Sequence, residues 1–288
     1  MTDLHQRVLA WYDGHARVLP WREPSTTPWA VLVSEFMLQQ TPVTRVLPVY
    51  EQWMLTWPTP AHLAEASTGD AVRAWGRLGY PRRALRLHQV ATAIVAHHGG
   101  QVPSSHADLW ALPGVGDYTA AAVASFAFGQ RHVVLDTNVR RVLARVVAGA
   151  ELPASTVTMP ERDSAAALLP EDPTTAAGWA VAVMELGALV CTAASPKCAA
   201  CPVNDLCAWR ERGYPAYDGP PRRAQTYAGT DRQCRGKLLH VLRQAPGSVH
   251  GSQLDVVWNN TEQRQRCLAS LVEDGLVARL AEDSYSLP

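Results

Sequence analysis

Four cysteines, two carboxylates and one glycine-rich turn are the residues of this chain whose spacing carries chemistry. Cys191, Cys198, Cys201 and Cys207 stand as C-x6-C-x2-C-x5-C, with Pro202 directly after the third. Four thiols this close form a metal cage or a disulfide knot. With no secretory signal in the first residues a reducing compartment is expected, which favours ligation. Zinc ribbons usually carry two C-x2-C pairs. A single pair flanked by longer arms leans toward a four-cysteine [4Fe-4S] cluster, with zinc as the alternative. Cys234 and Cys267 have no partners at ligand spacing and read as small hydrophobes.

Glu35 lies in Ala30-Val31-Leu32-Val33-Ser34-Glu35-Phe36-Met37-Leu38, a helical run that is otherwise almost wholly apolar. A desolvated glutamate holds its proton more tightly and becomes a general acid near neutral pH, unless it is buried against a structural partner. Asp136, in Val134-Leu135-Asp136-Thr137-Asn138-Val139-Arg140, directly precedes a helix expected to run to Val147. It is either an N-cap for that helix or a carboxylate aimed at a ligand. Leu112-Pro113-Gly114-Val115-Gly116 falls between helical segments at about 107–111 and 117–128. Its glycines allow close backbone approach, and the helix that follows begins with free N–H groups that suit a phosphate. The turn is therefore a helix-hairpin-helix signal that grips a DNA backbone without reading sequence, or a plain turn between packed helices.

These groups must be held by helices. From Leu4 to about Val190 apolar residues recur at three- and four-residue spacing, cut by prolines into pieces of ordinary helix length, with little strand-like alternation. The fold class is all-α, in a main region over 1–212 that carries the cysteine loop at 191–207. A Gly/Pro-rich linker over 213–234 leads to a winged-helix-like α+β domain over 235–288. In that domain helices are expected at 235–244, 252–258 and 261–273, followed by a two-stranded wing over 276–287 turning at Glu282-Asp283. The 288 residues carry 26 basic and 26 acidic groups, so the molecule as a whole exerts no pull on nucleic acid. Basic islands at Arg82, Arg83 and Arg86, at Arg140, Arg141 and Arg145, and at Arg222, Arg223, Arg232, Arg235 and Lys237 read as solvated helix faces unless other evidence intervenes. No apolar run approaches the roughly 20 residues of a membrane span. A soluble, monomeric, cytoplasmic and nucleoid-associated protein with no membrane partner is expected.

Taken together, these residues resemble the helix-hairpin-helix DNA glycosylases. The segment Ser34-Glu35-Phe36-Met37-Leu38-Gln39-Gln40-Thr41 is similar to that of the MutY adenine glycosylases in particular. The resemblance runs from about Trp11 to Trp209. It includes Leu19-Pro20-Trp21-Arg22, Leu78-Gly79-Tyr80, the hairpin, Asp136, Glu185-Leu186-Gly187-Ala188 and all four loop cysteines in order. It implies two helical domains with a cleft between them, a [4Fe-4S] cluster on the four cysteines, and double-stranded DNA with adenine opposite 8-oxoguanine or guanine as partner. By the same resemblance Glu35 protonates the departing adenine and handles the incoming water, while Asp136 stabilises positive charge on the sugar. Tyr118 and Asn138 stand beside the reaction centre, and Trp21, Arg22 and Leu38 near the extruded base. Gln40 and Tyr80 match the minor-groove wedge, Gln39 and Thr41 are further DNA-binding residues, and Leu112, Gly114, Val115 and Gly116 belong to the phosphate grip. Lyase relatives carry a lysine where this chain has Tyr118, which implies hydrolysis without a Schiff base.

The chain departs from that pattern in three places. Pro81 follows Tyr80 where a second tyrosine is common, and Val181 replaces a residue that often touches the adenine edge. The usual C-terminal 8-oxoguanine-reading domain is replaced by the winged-helix-like tail, whose Arg264 and Arg266 are candidate DNA contacts unless the tail is only a packing module. Two other functions remain open from sequence: a glycosylase and AP lyase acting on oxidised pyrimidines, and a non-catalytic iron-sulfur winged-helix regulator.

Overall fold

The computed structural model describes residues 1–220 and 227–288, so Arg222 and Arg223 of the third basic island lie outside the described residues. In chain order the helices are α1 (Asp3–His15), α2 (Pro28–Leu38), α3 (Val43–Thr56), α4 (Pro60–Glu65), α5 (Thr68–Trp75), α6 (Arg82–His98), α7 (His106–Ala111), α8 (Asp117–Phe128), α9 (Thr137–Val146), α10 (Met159–Ala167), α11 (Pro173–Leu189), α12 (Ala208–Glu211), α13 (Asp231–Gln244), α14 (Gly251–Asp255) and α15 (Thr261–Glu273). The strands are β1 (Val249–His250), β2 (Ala278–Arg279) and β3 (Ser284–Ser286). The expectation of a helical chain ending in a small α+β module is met. None of the described helices is long and apolar enough to cross a membrane.

Contacts divide the chain into two units. The first comprises Met1–Val31, Ser104–Ala111 and Val115–Pro221; the second comprises Leu32–Pro103, Leu112–Gly114 and Arg222–Pro288. In the first unit α1, α9 and α11 share a core of Val8, Trp11, Val142, Leu143, Trp179, Val183 and Leu186, against which Cys191, Cys201 and Cys207 also pack. Capping chemistry sets the helix starts: Asp136, Thr158 and Asp172 each accept a backbone N–H at the head of α9, α10 and α11. Gly187 lets α11 approach the first turn of α9, since a Cβ there would lie 2.7 Å from Asn138 Cβ and 2.9 Å from the Asn138 carbonyl oxygen.

In the second unit Trp53 packs edge-on against Trp57 at 4.6 Å and Trp75 at 5.7 Å between ring centres, and α6 lies along α4 and α5. The tail belongs to this unit. Arg243 donates to the Val72 carbonyl at 2.9 Å and to that of Gly76, while Arg73 Nη1 donates to the carbonyls of Arg243 at 2.5 Å and Ala245 at 2.9 Å. Asp274 accepts from Arg82 at 3.0 Å and from Arg235. The wing is a three-stranded sheet ordered β1-β3-β2, antiparallel throughout, with Val249 opposite Tyr285 and Ala278 opposite Ser286. The wing turn at Glu282 and Asp283 is left-handed in both residues. Arg264 is not free for DNA: it is 8 % exposed and donates to the Trp258 carbonyl and to Asp255 Oδ1. Arg266 is paired with Asp231 at 3.0 Å.

Candidate active site and cysteine pocket

Glu35 is buried at 6 % exposure on α2, flanked by Leu32, Val33, Phe36 and Met37 at 1 % or less. Its expected desolvation is therefore present, and Leu38 at the end of the same helix is half-buried.

Asp136 is the N-cap of α9, so the capping role weighed for it is real. Its Oδ1 accepts from the Asn138 amide at 2.9 Å and the Val139 amide at 2.6 Å, and its Oδ2 accepts from Asn138 Nδ2 at 2.7 Å. Burial pushes its carboxyl above the ordinary aspartate range, with those three donors opposing the shift. Asn138 is itself fixed, because its Oδ1 accepts from Arg141 Nη2 at 2.8 Å. Arg141 also donates to the carbonyls of Gly187 at 2.6 Å and Cys191 at 2.7 Å. A continuous chain of bonds thus runs from the first loop cysteine to the Asp136 carboxylate.

Tyr118, on the first turn of α8, is half-buried and packs against Ala121, Ala122, Val134 and Ala180. In the hairpin before it, Leu112 and Val115 are buried at 4 % and 6 %. Gly114 has φ +72°, and a Cβ there would meet Arg86 at 2.9 Å, so glycine is required both by conformation and by packing. Gly116 differs, with an ordinary φ of −92° and no atom within 4 Å of its missing Cβ. It is the N-cap of α8 and brings no side-chain acceptor to that helix start.

Trp21 is buried at 8 %, and Arg22 donates through Nη2 to Glu185 Oε2 at 2.9 Å. Arg17 binds the same carboxylate through its backbone N–H at 3.0 Å and through Nε and Nη2 at 2.7 Å each. Glu185 is 0 % exposed; burial alone would raise its pKa, but the bonds from Arg17 and Arg22 prevail and hold it down to about 2. Arg22 Nη1 remains buried without a partner, an orphaned donor beside that carboxylate.

Gln39 and Gln40 form the turn after α2, where Gln40 has φ +52°. Tyr80, 45 % exposed with φ +45°, precedes α6. Thr41 is buried, its hydroxyl 3.3 Å from the Leu78 carbonyl.

Cys191, Cys198, Cys201 and Cys207 all line one pocket together with Val146, Val190, Pro196, Trp209 and Arg145. Burial pushes the Cys201 thiol up to about 11 and raises that of Cys191. Arg145, 1 % exposed, lies 4.7 Å from the Trp209 ring, donates to Cys191 Sγ at 3.5 Å and also binds the carbonyls of Thr192, Ala193 and Glu151. Among the described residues no three His, Cys, Asp or Glu side chains converge as a single metal ion would require.

Sequence reasoning missed the buried arginines. Arg83, Arg141 and Arg145 sit in the islands read as solvated, yet they are 5 %, 8 % and 1 % exposed and bind carbonyls. Arg140 of the second island is engaged with Glu161 at 2.6 Å. A charge at helical spacing carries no sign of whether it faces water or the end of another helix. Glu185 had a local signal, an acid in the apolar run Trp179–Leu189, but no role was assigned to it.

Comparison with known proteins agrees with the geometry. Residues 33–163 match the model of the HhH-GPD superfamily of base excision DNA repair proteins. The adenine DNA glycosylase of Mycobacterium tuberculosis is 56 % identical over 98 % of this chain and 92 % of its own length, and that of Mycolicibacterium smegmatis is 52 % identical over 97 % and 94 %. Among solved structures a thermostable thymine-DNA glycosylase superposes with a TM-score of 0.66 at 25 % identity, covering 73 % of this chain and 95 % of that one. With buried Glu35, capped Asp136, the glycine hairpin and the four-thiol pocket in place, this similarity along nearly the whole length makes the chain a member of the adenine DNA glycosylase family of the HhH-GPD superfamily.

Proposed function

We propose that the chain removes adenine lying opposite 8-oxoguanine or guanine in duplex DNA, by hydrolysing its bond to deoxyribose. The observation that carries this reading is a carboxylic acid, Glu35, held at 6 % exposure among apolar side chains in a member of this family. A carboxyl shielded from water and fixed on a helix suits the task of handing a proton to an expelled purine. Asp136 supplies the complementary charge. Two amides and the Asn138 side chain fix its carboxylate in one orientation, which supports a role in meeting the positive charge growing on the sugar without reorganisation. Tyr118 offers no amine at the position where a lysine would attack the sugar, which supports hydrolysis without a covalent intermediate.

Extrusion of the base leaves a gap, which Gln40 and Tyr80 fill in this reading, while Trp21, Arg22 and Leu38 receive the adenine. The orphaned Nη1 of Arg22 supports a polar contact there. The start of α8 directly after Gly116, where no capping side chain intervenes, supports a phosphate grip by the turn from Leu112 to Gly116. Cys191, Cys198, Cys201 and Cys207 would hold a [4Fe-4S] cluster. Four thiols spread around a pocket, with a buried guanidinium bonded to one of them, fit a multi-iron cluster better than a lone zinc. Such a cluster would tie the 191–207 loop to α9, the helix that carries Arg141 and Arg145.

The test is single-turnover adenine release, read as strand scission after alkali, on duplexes with adenine opposite 8-oxoguanine, guanine, cytosine or thymine. Glu35→Gln should keep duplex binding and lose about a hundredfold to ten-thousandfold in rate, the range of positioned proton transfer. A Glu35→Gln variant within about tenfold of the parent, where each tenfold is 1.36 kcal/mol of barrier, overturns the reading, as does a covalent DNA adduct trapped by borohydride.

A further inference from the structure

We propose that Arg83 is a positioning residue for base extrusion: its buried guanidinium locks the Gln40 turn and the Tyr80 turn into one rigid unit, so that both side chains enter the duplex together. The proposal rests on the reading of Gln40 and Tyr80 as the wedge. Arg83 is the second residue of α6 and 5 % exposed. Its Nη1 donates to the carbonyls of Phe36 at 2.8 Å, Met37 at 3.3 Å and Gln39 at 2.6 Å. Its Nη2 donates to Thr41 Oγ1 at 3.1 Å and to the Gly79 carbonyl at 3.2 Å. One side chain thus holds the residues on both sides of Gln40 and the residue before Tyr80.

The energetic need for such a clasp is visible in the backbone. Gln40 at φ +52° and Tyr80 at φ +45° both occupy the left-handed region, which side chains other than glycine adopt only when the surroundings impose it. Each turn has one local backbone bond, from the Thr41 amide to the Leu38 carbonyl at 3.1 Å and from the Arg83 amide to that of Tyr80 at 3.0 Å, and the five bonds from one buried cation join the two turns. Phe36 and Met37 also lie in the last turn of α2, where carbonyls lack helical partners and the helix dipole favours a positive charge. The same guanidinium lies 5.4 Å from the Tyr80 ring centre and 5.4 Å from that of Trp75, whose Nε1 donates to the Gly79 carbonyl at 3.0 Å. Burial costs this arginine some of its basicity, lowering its pKa to about 10, and it still carries its charge at neutral pH. A lysine would keep the charge but could not span five acceptors.

The experiment pairs Arg83→Lys with Tyr80→Ala and the double variant, and adds Thr41→Val, which removes one acceptor from the fork. Extrusion is read as the fluorescence rise of 2-aminopurine in the adenine position, and chemistry as single-turnover release of adenine placed opposite guanine or opposite an abasic analogue, which has no partner base to break. Misplacing a reacting geometry by about 1 Å costs on the order of a hundredfold. Arg83→Lys should therefore slow both extrusion and release opposite guanine by about tenfold or more, with release opposite the abasic analogue nearly unchanged. Thr41→Val should slow extrusion opposite guanine by less than Arg83→Lys, and the double variant should be no slower than Tyr80→Ala. Equal loss on both duplexes, or an additive double variant, overturns the proposal. So does a parent-like extrusion signal in Arg83→Lys, or, where that variant does not fold, in Thr41→Val. Failure of the wedge reading is separate: Tyr80→Ala and Gln40→Ala would then extrude the base as the parent does.

Discussion

Replacing Glu185 by glutamine should destabilise the first unit by several kcal/mol, and the deficit should shrink in acid. Glu185 is 0 % exposed and accepts four hydrogen bonds, three from Arg17 and one from Arg22. Its carboxyl is held down from 4.5 to about 2. A shift of that size, at 1.36 kcal/mol per unit, corresponds to about 3 kcal/mol of preference for the ionised form in the fold. An independent expectation agrees: removing one partner of a buried ion pair costs about 3–5 kcal/mol, because the remaining charge is left uncompensated. Glutamine keeps the shape, but its amide nitrogen faces guanidinium donors that need an acceptor.

The sign of the pH dependence follows from the depressed pKa. A carboxyl that ionises more readily when folded contributes its full stabilisation above the unfolded value near 4.5 and loses it as pH falls toward about 2. Guanidinium chloride unfolding of parent and Glu185→Gln should therefore show a gap of about 3 kcal/mol at pH 7, narrowing through pH 4 and small by pH 2.5. Taking the difference cancels titrations common to both proteins. A gap within about 0.5 kcal/mol at pH 7, the usual range for surface changes, would refute the reasoning, as would one that stays constant below pH 4.

Arg145→Gln removes the buried cation that donates to Cys191 Sγ. Iron bound per chain after gel filtration should fall, and loss of iron to a chelator should quicken by about tenfold to a hundredfold, as for other groups that support metal ligands. Arg243 is half-buried, and desolvation lowers its pKa to about 10. Arg243→Met should cost about 2–4 kcal/mol, since charged hydrogen bonds to Val72 and Gly76 vanish, and should speed proteolysis within 213–234; equal cleavage rates would count against the tail's being fastened there.

Elements with local punctuation were legible in the sequence. The helix expected over 117–128 is α8 to the residue, because Gly116 opens it and Gly129, left-handed at φ +64°, closes it. The helix over 261–273 is α15, started by the Asn260 cap and followed by Gly275. The second helix of the tail was expected over 252–258 but spans Gly251–Asp255. Strand β1 was missed, because two residues at Val249–His250 carry no periodicity and owe their form to pairing with Ser284 and Tyr285, far along the chain. The burial of Glu35 was legible since every other residue of α2 except Ser34 is apolar. The fixing of Asp136 was legible only as a cap: its Oδ2 depends on Asn138, which depends on Arg141, which depends on carbonyls some fifty residues away.

A protein that handles DNA with equal numbers of acids and bases raises the question of what its cations do. Only two of the 26 basic residues, Lys197 and Lys237, are lysines. Arginine's rigid fork suits a different task from attracting phosphate: it can hold several carbonyls at once where a helix ends and its oxygens lack partners. Arg83 does this at the end of α2, the helix of Glu35. Arg141 and Arg145 do it where α11 runs into the cysteine loop. These arginines fix the end of α2, the turns at Gln40 and Tyr80 and the start of the cysteine loop, and so serve rigidity more than attraction.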